Sequence, residues 1–169
     1  MRRKILMNLL LLSLPVLLII SCNREKKTET TIGLKDALAG KFYIGTALNA
    51  AQINGTDEAS VKIVKEHFNA VVAENCMKSE SLQPSEGVFN FALADKFVDF
   101  GEHNNMFVTG HVLIWHSQAP KWFFIDSQGN DVSRDVLISR MKTHITTVMN
   151  HFKGQVKGWD VVNEAIEDD

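Results

Sequence analysis

The sequence predicts an α/β fold with parallel strands. Two observations lead there. Short apolar runs of strand length alternate with amphipathic helical stretches in the order β-α-β-α-β-α-β. That alternation implies parallel pairing through crossover helices. In addition, three of the runs end in polar, chemistry-bearing side chains, and function in such folds gathers at the carboxyl ends of strands. Composition agrees: 169 residues with 45% hydrophobic and 22% charged lie in the globular range. A formal net charge of −2 gives no electrostatic reason to expect a nucleic-acid partner.

The first 22 residues stand apart from this pattern. Arg2, Arg3 and Lys4 precede an apolar run, Ile5 to Ile20, which ends in Ser21-Cys22. A positive start, a short apolar stretch and a small residue before a cut site describe a secretory signal. Ser21-Cys22 resembles the lipobox of bacterial lipoproteins, in which the cysteine is lipidated and becomes the new N-terminus. An uncleaved anchor helix is the alternative, although the run is short for a span of about 20 residues. The division expected is a leader at 1–21, a polar tether at 22–33 and a domain at 34–169. The expected location is outside the inner membrane, lipid-anchored at Cys22 on the outer membrane or cell surface of a Gram-negative bacterium. Without the leader the chain carries 15 basic and 20 acidic residues.

Within the domain, Phe42 to Leu48 reads as a buried strand behind Gly40. Thr56-Asp57-Glu58 offers a helix cap, followed by Val61, Ile63, Val64 and Phe68. Asn69 to Glu74 is the second strand, and Ala94 to Glu102 the next helix. Met106 to Trp115 reads as one long third strand running into a loop. After Ser133, Leu137, Met141, Ile145, Val148 and Phe152 recur at helical spacing, and Lys153-Gly154 supplies a stop. Val156 to Glu164 is the fourth strand. No phosphate loop, zinc spacing or internal repeat is visible.

The strand ends carry Glu74-Asn75 with Lys78, then His111 with Trp115-His116-Ser117-Gln118, then Asn163-Glu164. A sugar needs this mixture. Hydroxyls take directional donors and acceptors, the C–H face of the ring takes an aromatic wall, and glycosidic cleavage needs a carboxylic acid beside the leaving oxygen. Taken singly, each residue has an ordinary explanation. A lone Glu is usually solvated, a lone His a turn or core residue, a Trp a packing residue and Lys78 a surface charge. Cys76 reads as a buried thiol. In a full-length protein, the strand-end position of Glu164, after Val161-Val162, predicts a carboxyl with limited access to water.

Four motifs then make the sequence recognisable. Glu74-Asn75-x-Met77-Lys78, Pro84-x-x-Gly87-x-Phe89-x-Phe91 with Ala94-Asp95, Gly110-His111-x-Leu113-x-Trp115-His116-Ser117-Gln118, and Trp159-Asp160-Val161-Val162-Asn163-Glu164-Ala165 resemble glycoside hydrolase family 10. The resemblance runs from about Leu34 to Asp169. It implies endo-β-1,4-xylanases on a (β/α)₈ barrel, with xylan or xylo-oligosaccharides as substrate and no metal or cofactor. Glu164 matches the family's general acid/base, and Asn163 the amide that binds the sugar 2-hydroxyl. His111 and Trp115 match residues that hold and wall the same sugar. Lys78, Asn75 and Glu74 match polar contacts to that sugar and the next. His116 matches a histidine near the acid/base, Gln118 completes that motif, and Trp122 matches a structural tryptophan.

A (β/α)₈ barrel typically needs about 250 residues. The resemblance therefore covers roughly the first four β/α units, an N-terminal half. The family retains configuration, which needs a nucleophilic carboxylate about 5–5.5 Å from the acid. In the family that carboxylate ends the seventh strand, beyond these motifs. Three functions follow as expectations: a fragment of a lipid-anchored xylanase, a non-catalytic half that grips xylan, or one half of a split enzyme whose second chain brings the nucleophile.

Overall fold

The computed structural model describes residues 32–166. The leader, Cys22 and most of the expected tether lie outside the described residues. Gly33, at the end of that tether, is buried and precedes a first helix, α1 (Leu34–Ala37). A side chain at Gly33 would overlap the Glu66 carbonyl.

The chain then forms β1 (Gly45–Leu48), α2 (Ala50–Ile53), α3 (Glu58–His67), β2 (Ala70–Ala73), α4 (Ser79–Leu82), α5 (Ala92–His103) and β3 (Phe107–Gly110). After these come β4 (Ile114–Trp115), a 3₁₀ turn (Lys121–Phe123), α6 (Arg134–His151), β5 (Gly158–Trp159) and β6 (Val162–Asn163). Four strands make one parallel sheet in the order β1-β2-β3-β5. The architecture is that of the first four β/α units of a (β/α)₈ barrel.

The long helices begin where local chemistry places them. Asp57 caps α3 by accepting from the Ser60 N–H at 3.2 Å, and Ser133 caps α6 by accepting from Val136. The short α2 is closed by a capping box. Asn49 accepts from the Gln52 N–H, and Gln52 Oε1 accepts from the Asn49 N–H at 2.9 Å. That turn was not expected from the sequence.

Two expected strands break. Met106 to Trp115 divides into β3 and β4, and Val156 to Glu164 into β5 and β6. Val112 and Leu113 are both buried, at 2% and 1% exposure. The chain leaves the main sheet after Gly110. Leu113 N–H then donates to the Asp160 carbonyl at 3.1 Å and Ile114 N–H to that of Val161 at 3.1 Å. Thus β4 and β6 form a separate parallel pair, Ile114 beside Val162 and Trp115 beside Asn163. The expected first strand is also shorter. Phe42 and Tyr43 are exposed, and Ile44 N–H donates instead to the Asn69 side chain at 2.7 Å.

The core lies between the sheet and its helices. Val71, Ala73 and Val108 meet Phe97 and Val98 of α5, while Met77, Leu82, Val148 and Phe152 extend the cluster. Each of these side chains larger than Ala73 contributes about 1.5–3 kcal/mol. The opposite face of the sheet is open: Ala47 is exposed and Val72 and Thr109 are only half-buried.

One polar pair sits inside the core. His144 is fully buried, with Nδ1 2.9 Å from Gln83 Oε1, and its Nε2 has no partner. Gln83 Oε1 can only accept, so Nδ1 carries the proton. Burial pushes the imidazole from its ordinary 6.5 down to about 4. The neutral ring is therefore the folded form. The unfolded chain binds a proton first as pH falls, so stability is full above about pH 6.5 and drains away toward about pH 4. The drop amounts to about 3 kcal/mol. Asp57 and Asp126 are held below 3.8 mainly by hydrogen bonds, from Ser60 and from the Asn130 and Gln128 N–H groups. Their stabilisation is lost only at lower pH. Urea titrations at pH 7 and pH 4.5 should show His144→Phe losing most of this dependence. An unchanged pH dependence in that variant would place its origin elsewhere.

Candidate active site

The strand ends meet at one rim. At the end of β2, Glu74 and Asn75 are exposed, but Lys78 is only 9% exposed. It is not a surface charge. Its Nζ donates to Asn75 Oδ1 at 2.9 Å and to Gln118 Oε1, and lies 5.0 Å from the Trp115 ring centre. Such a cation over an indole face is attracted by the ring's quadrupole. Gln118 also donates to Asn75 Oδ1 at 3.4 Å and to Glu80 Oε1 at 3.2 Å. Asn75, Lys78 and Glu80, with Gln118 from a loop 40 positions after Lys78, thus form one network.

The second cluster centres on Glu164. Trp115 Nε1–H donates to Glu164 Oε2 at 2.8 Å, and His116 Nε2 lies 3.8 Å from the same oxygen. The pairing of β4 with β6 aligns them, because it sets Trp115 beside Asn163, one residue before Glu164. Glu164 itself has φ +49°, left-handed backbone. Its side chain is 58% exposed, and Val161 and Val162 are exposed as well. No element of the described residues covers that side of the rim. A third pair joins His111 Nδ1 to Asp160 Oδ2 at 2.9 Å.

Trp115 bridges these clusters. Its ring face meets Lys78, its N–H meets Glu164, and its centroid is 6.3 Å from that of His111. Asn163 stands in β6 beside them. Among the described residues, Glu74 and Asn163 have no side-chain hydrogen bond, and His116 approaches Glu164 only at 3.8 Å. A carboxyl beside an indole N–H, with an ammonium and amides on the indole's other side, can protonate a leaving oxygen while holding hydroxyls.

Asp160, Glu80 and Arg140 were given no role in the sequence reading. Asp160 orients His111, and its signal was its place in the Trp159-to-Ala165 motif. Glu80 contacts Gln118; an acid two positions after Lys78 was the available cue. Trp122 is structural as expected, donating from Nε1 to the Gln83 carbonyl at 3.0 Å and stacking on Phe123. Arg140 grips Glu86 with two bonds of 2.9 and 2.8 Å and also donates to the Trp122 carbonyl. Cys76 is buried, and desolvation pushes its thiol up to about 11. It is unreactive as a nucleophile.

Known proteins resemble this chain. The model of glycosyl hydrolase family 10 matches residues 33–169. The chain is 53% identical over 135 residues to endo-1,4-beta-xylanase A of Xylanibacter ruminicola, covering 80% of this chain and 37% of that protein. It is 48% identical over 135 residues to exoglucanase XynX of Acetivibrio thermocellus, covering 75% of this chain and 12% of that one. Among solved structures, a GH10 endoxylanase from a sugarcane soil metagenome superposes with a TM-score of 0.77 at 42% identity. That superposition covers 82% of this chain and 41% of the other. The chain thus spans 37% of the Xylanibacter ruminicola xylanase, 12% of exoglucanase XynX and 41% of the solved endoxylanase. On the family match and these identities, it belongs to glycosyl hydrolase family 10.

Proposed function

We propose that these residues form the acid/base half of a retaining endo-β-1,4-xylanase site. The observation that carries the reading is the hydrogen bond from Trp115 to Glu164 beside the Lys78–Asn75–Gln118 network. It sets one carboxyl next to an aromatic wall and a set of hydroxyl-binding groups. The relatives named as xylanases support the choice of xylan. Glu164 protonates the leaving glycosidic oxygen, and then, as a base, activates the incoming water. Asn163, His111 and Trp115 hold the sugar at the cleaved bond, while Glu74, Asn75 and Lys78 hold it and the next one. A nucleophilic carboxylate about 5–5.5 Å from Glu164 completes the site in the whole barrel. The test follows early products from xylan by proton NMR in a complete barrel carrying these residues. The β-anomer is expected first. An α-anomer first, or no cleavage, would overturn the reading.

The proposal extends to location. The leader and Ser21-Cys22 point to export and a lipid anchor at Cys22. One acyl chain binds only marginally, so stable attachment needs several. Mass spectrometry of the native N-terminus is expected to show a lipidated Cys22. Finding Cys22 unmodified and still joined to Ser21 would refute it.

A further inference from the structure

Gln118 is a neutral amide placed between two opposite charges. Its Oε1 faces the Lys78 ammonium, and its Nε2 faces the Glu80 carboxylate at 3.2 Å. Reversing the amide would turn N–H groups toward the ammonium and oxygen toward the carboxylate. Two attractions would become two repulsions, so the flanking charges select a single orientation. The backbone reinforces the arrangement. Gln118 has φ +48°, and its carbonyl accepts from the Glu80 N–H at 3.1 Å.

The consequence falls on Lys78. An ammonium has three N–H groups. Asn75 Oδ1 and Gln118 Oε1 take two of them. Among the described residues no carboxylate pairs with Lys78 directly. The nearest negative charge in the network, Glu80, reaches it only through Gln118. The third N–H stays uncommitted, whereas a direct carboxylate partner would compete for it.

We propose that Glu80 is a positioning residue: by fixing the Gln118 amide, it holds the Lys78 ammonium beside Trp115 with one N–H free for a hydroxyl ligand. The ligand part rests on the xylan reading above; the positioning part does not. Glu80 is exposed, so its substitution leaves the core intact.

The test uses two readouts on the 169-residue chain. The first is the NMR exchange rate of the Gln118 side-chain N–H protons. Glu80→Ala should speed it roughly tenfold, as expected for loss of a hydrogen bond to a charged group. Glu80→Gln, which keeps an acceptor of the same length, should restore part of the protection. The second is xylotriose affinity, followed by tryptophan fluorescence. Glu80→Ala should weaken binding several-fold in the parent chain and not at all in a Gln118→Ala background. Exchange that ignores Glu80→Ala, or equal losses in both backgrounds, would overturn the proposal. Protected amide protons that respond to Glu80, in a chain that does not bind xylotriose, would support the positioning and count against the xylan reading.

Discussion

Glu164→Ala, placed in a complete barrel, is expected to lower xylan turnover by roughly 10²–10⁴-fold. The same variant should still form its glycosyl-enzyme from an activated aryl xylobioside. The difference lies in the leaving group. A xylose hydroxyl departs as an alcohol and needs a proton, whereas a stabilised phenolate departs without one. Once the intermediate has formed, hydrolysis needs a base to activate water, and the variant has none. A burst of phenolate followed by slow turnover is therefore expected. Azide should restore turnover, because an anion attacks without deprotonation. Loss of both substrates to the same degree, with no rescue by azide, would remove Glu164 from the acid/base role. The contact from Trp115 makes a control possible. Trp115→Phe removes the N–H at 2.8 Å but leaves the carboxyl, so azide should not rescue it.

Gly110→Ala should cost stability and disturb the site together. A Cβ at Gly110 would overlap the six-membered ring of Trp159, which packs across it. Forcing an atom into such a contact costs about 1–3 kcal/mol. Gly110 also holds β5 through its carbonyl, which accepts from the Asp160 N–H at 3.0 Å. Pushing Trp159 away therefore pulls Asp160 from His111 as well. A fall in melting temperature of roughly 5 °C is expected. Trp159→Leu, added to Gly110→Ala, should return part of it, since the two residues share one space. A variant melting with the parent protein would show that the ring moves aside freely.

These two glycine-and-strand relations mark how far the sequence could be read. The long helices were legible because their signals are local: Asp57 and Ser133 cap their own first turns, and the apolar spacing of α6 lies within one helix. The rim was legible because Asn75, Lys78, His111, Trp115, Asn163 and Glu164 follow apolar runs that end together. Two things were hidden. The break at Val112-Leu113 was invisible, since two adjacent apolar residues look the same in a strand and in a buried turn. The pairing of Gln83 with His144 joins positions 61 apart; no local pattern announces it. The burial of Lys78 was not legible, because it depends on loop residues 40 positions later. The surroundings of Glu164 were illegible for a related reason. Strand-end position tells where a carboxyl stands, not which neighbouring elements shield it.

The small β4–β6 pair has a practical consequence for protein engineering. It couples the ring of Trp115 and the carboxyl of Glu164 to one shared backbone scaffold, with His111 and Asp160 bonded at its entrance. Anyone transplanting loops between members of the family should therefore exchange segments 111–116 and 159–164 as a single cassette. A chimera that takes only one of them inherits two halves of a clamp cut to different patterns, and random libraries should sample both stretches jointly.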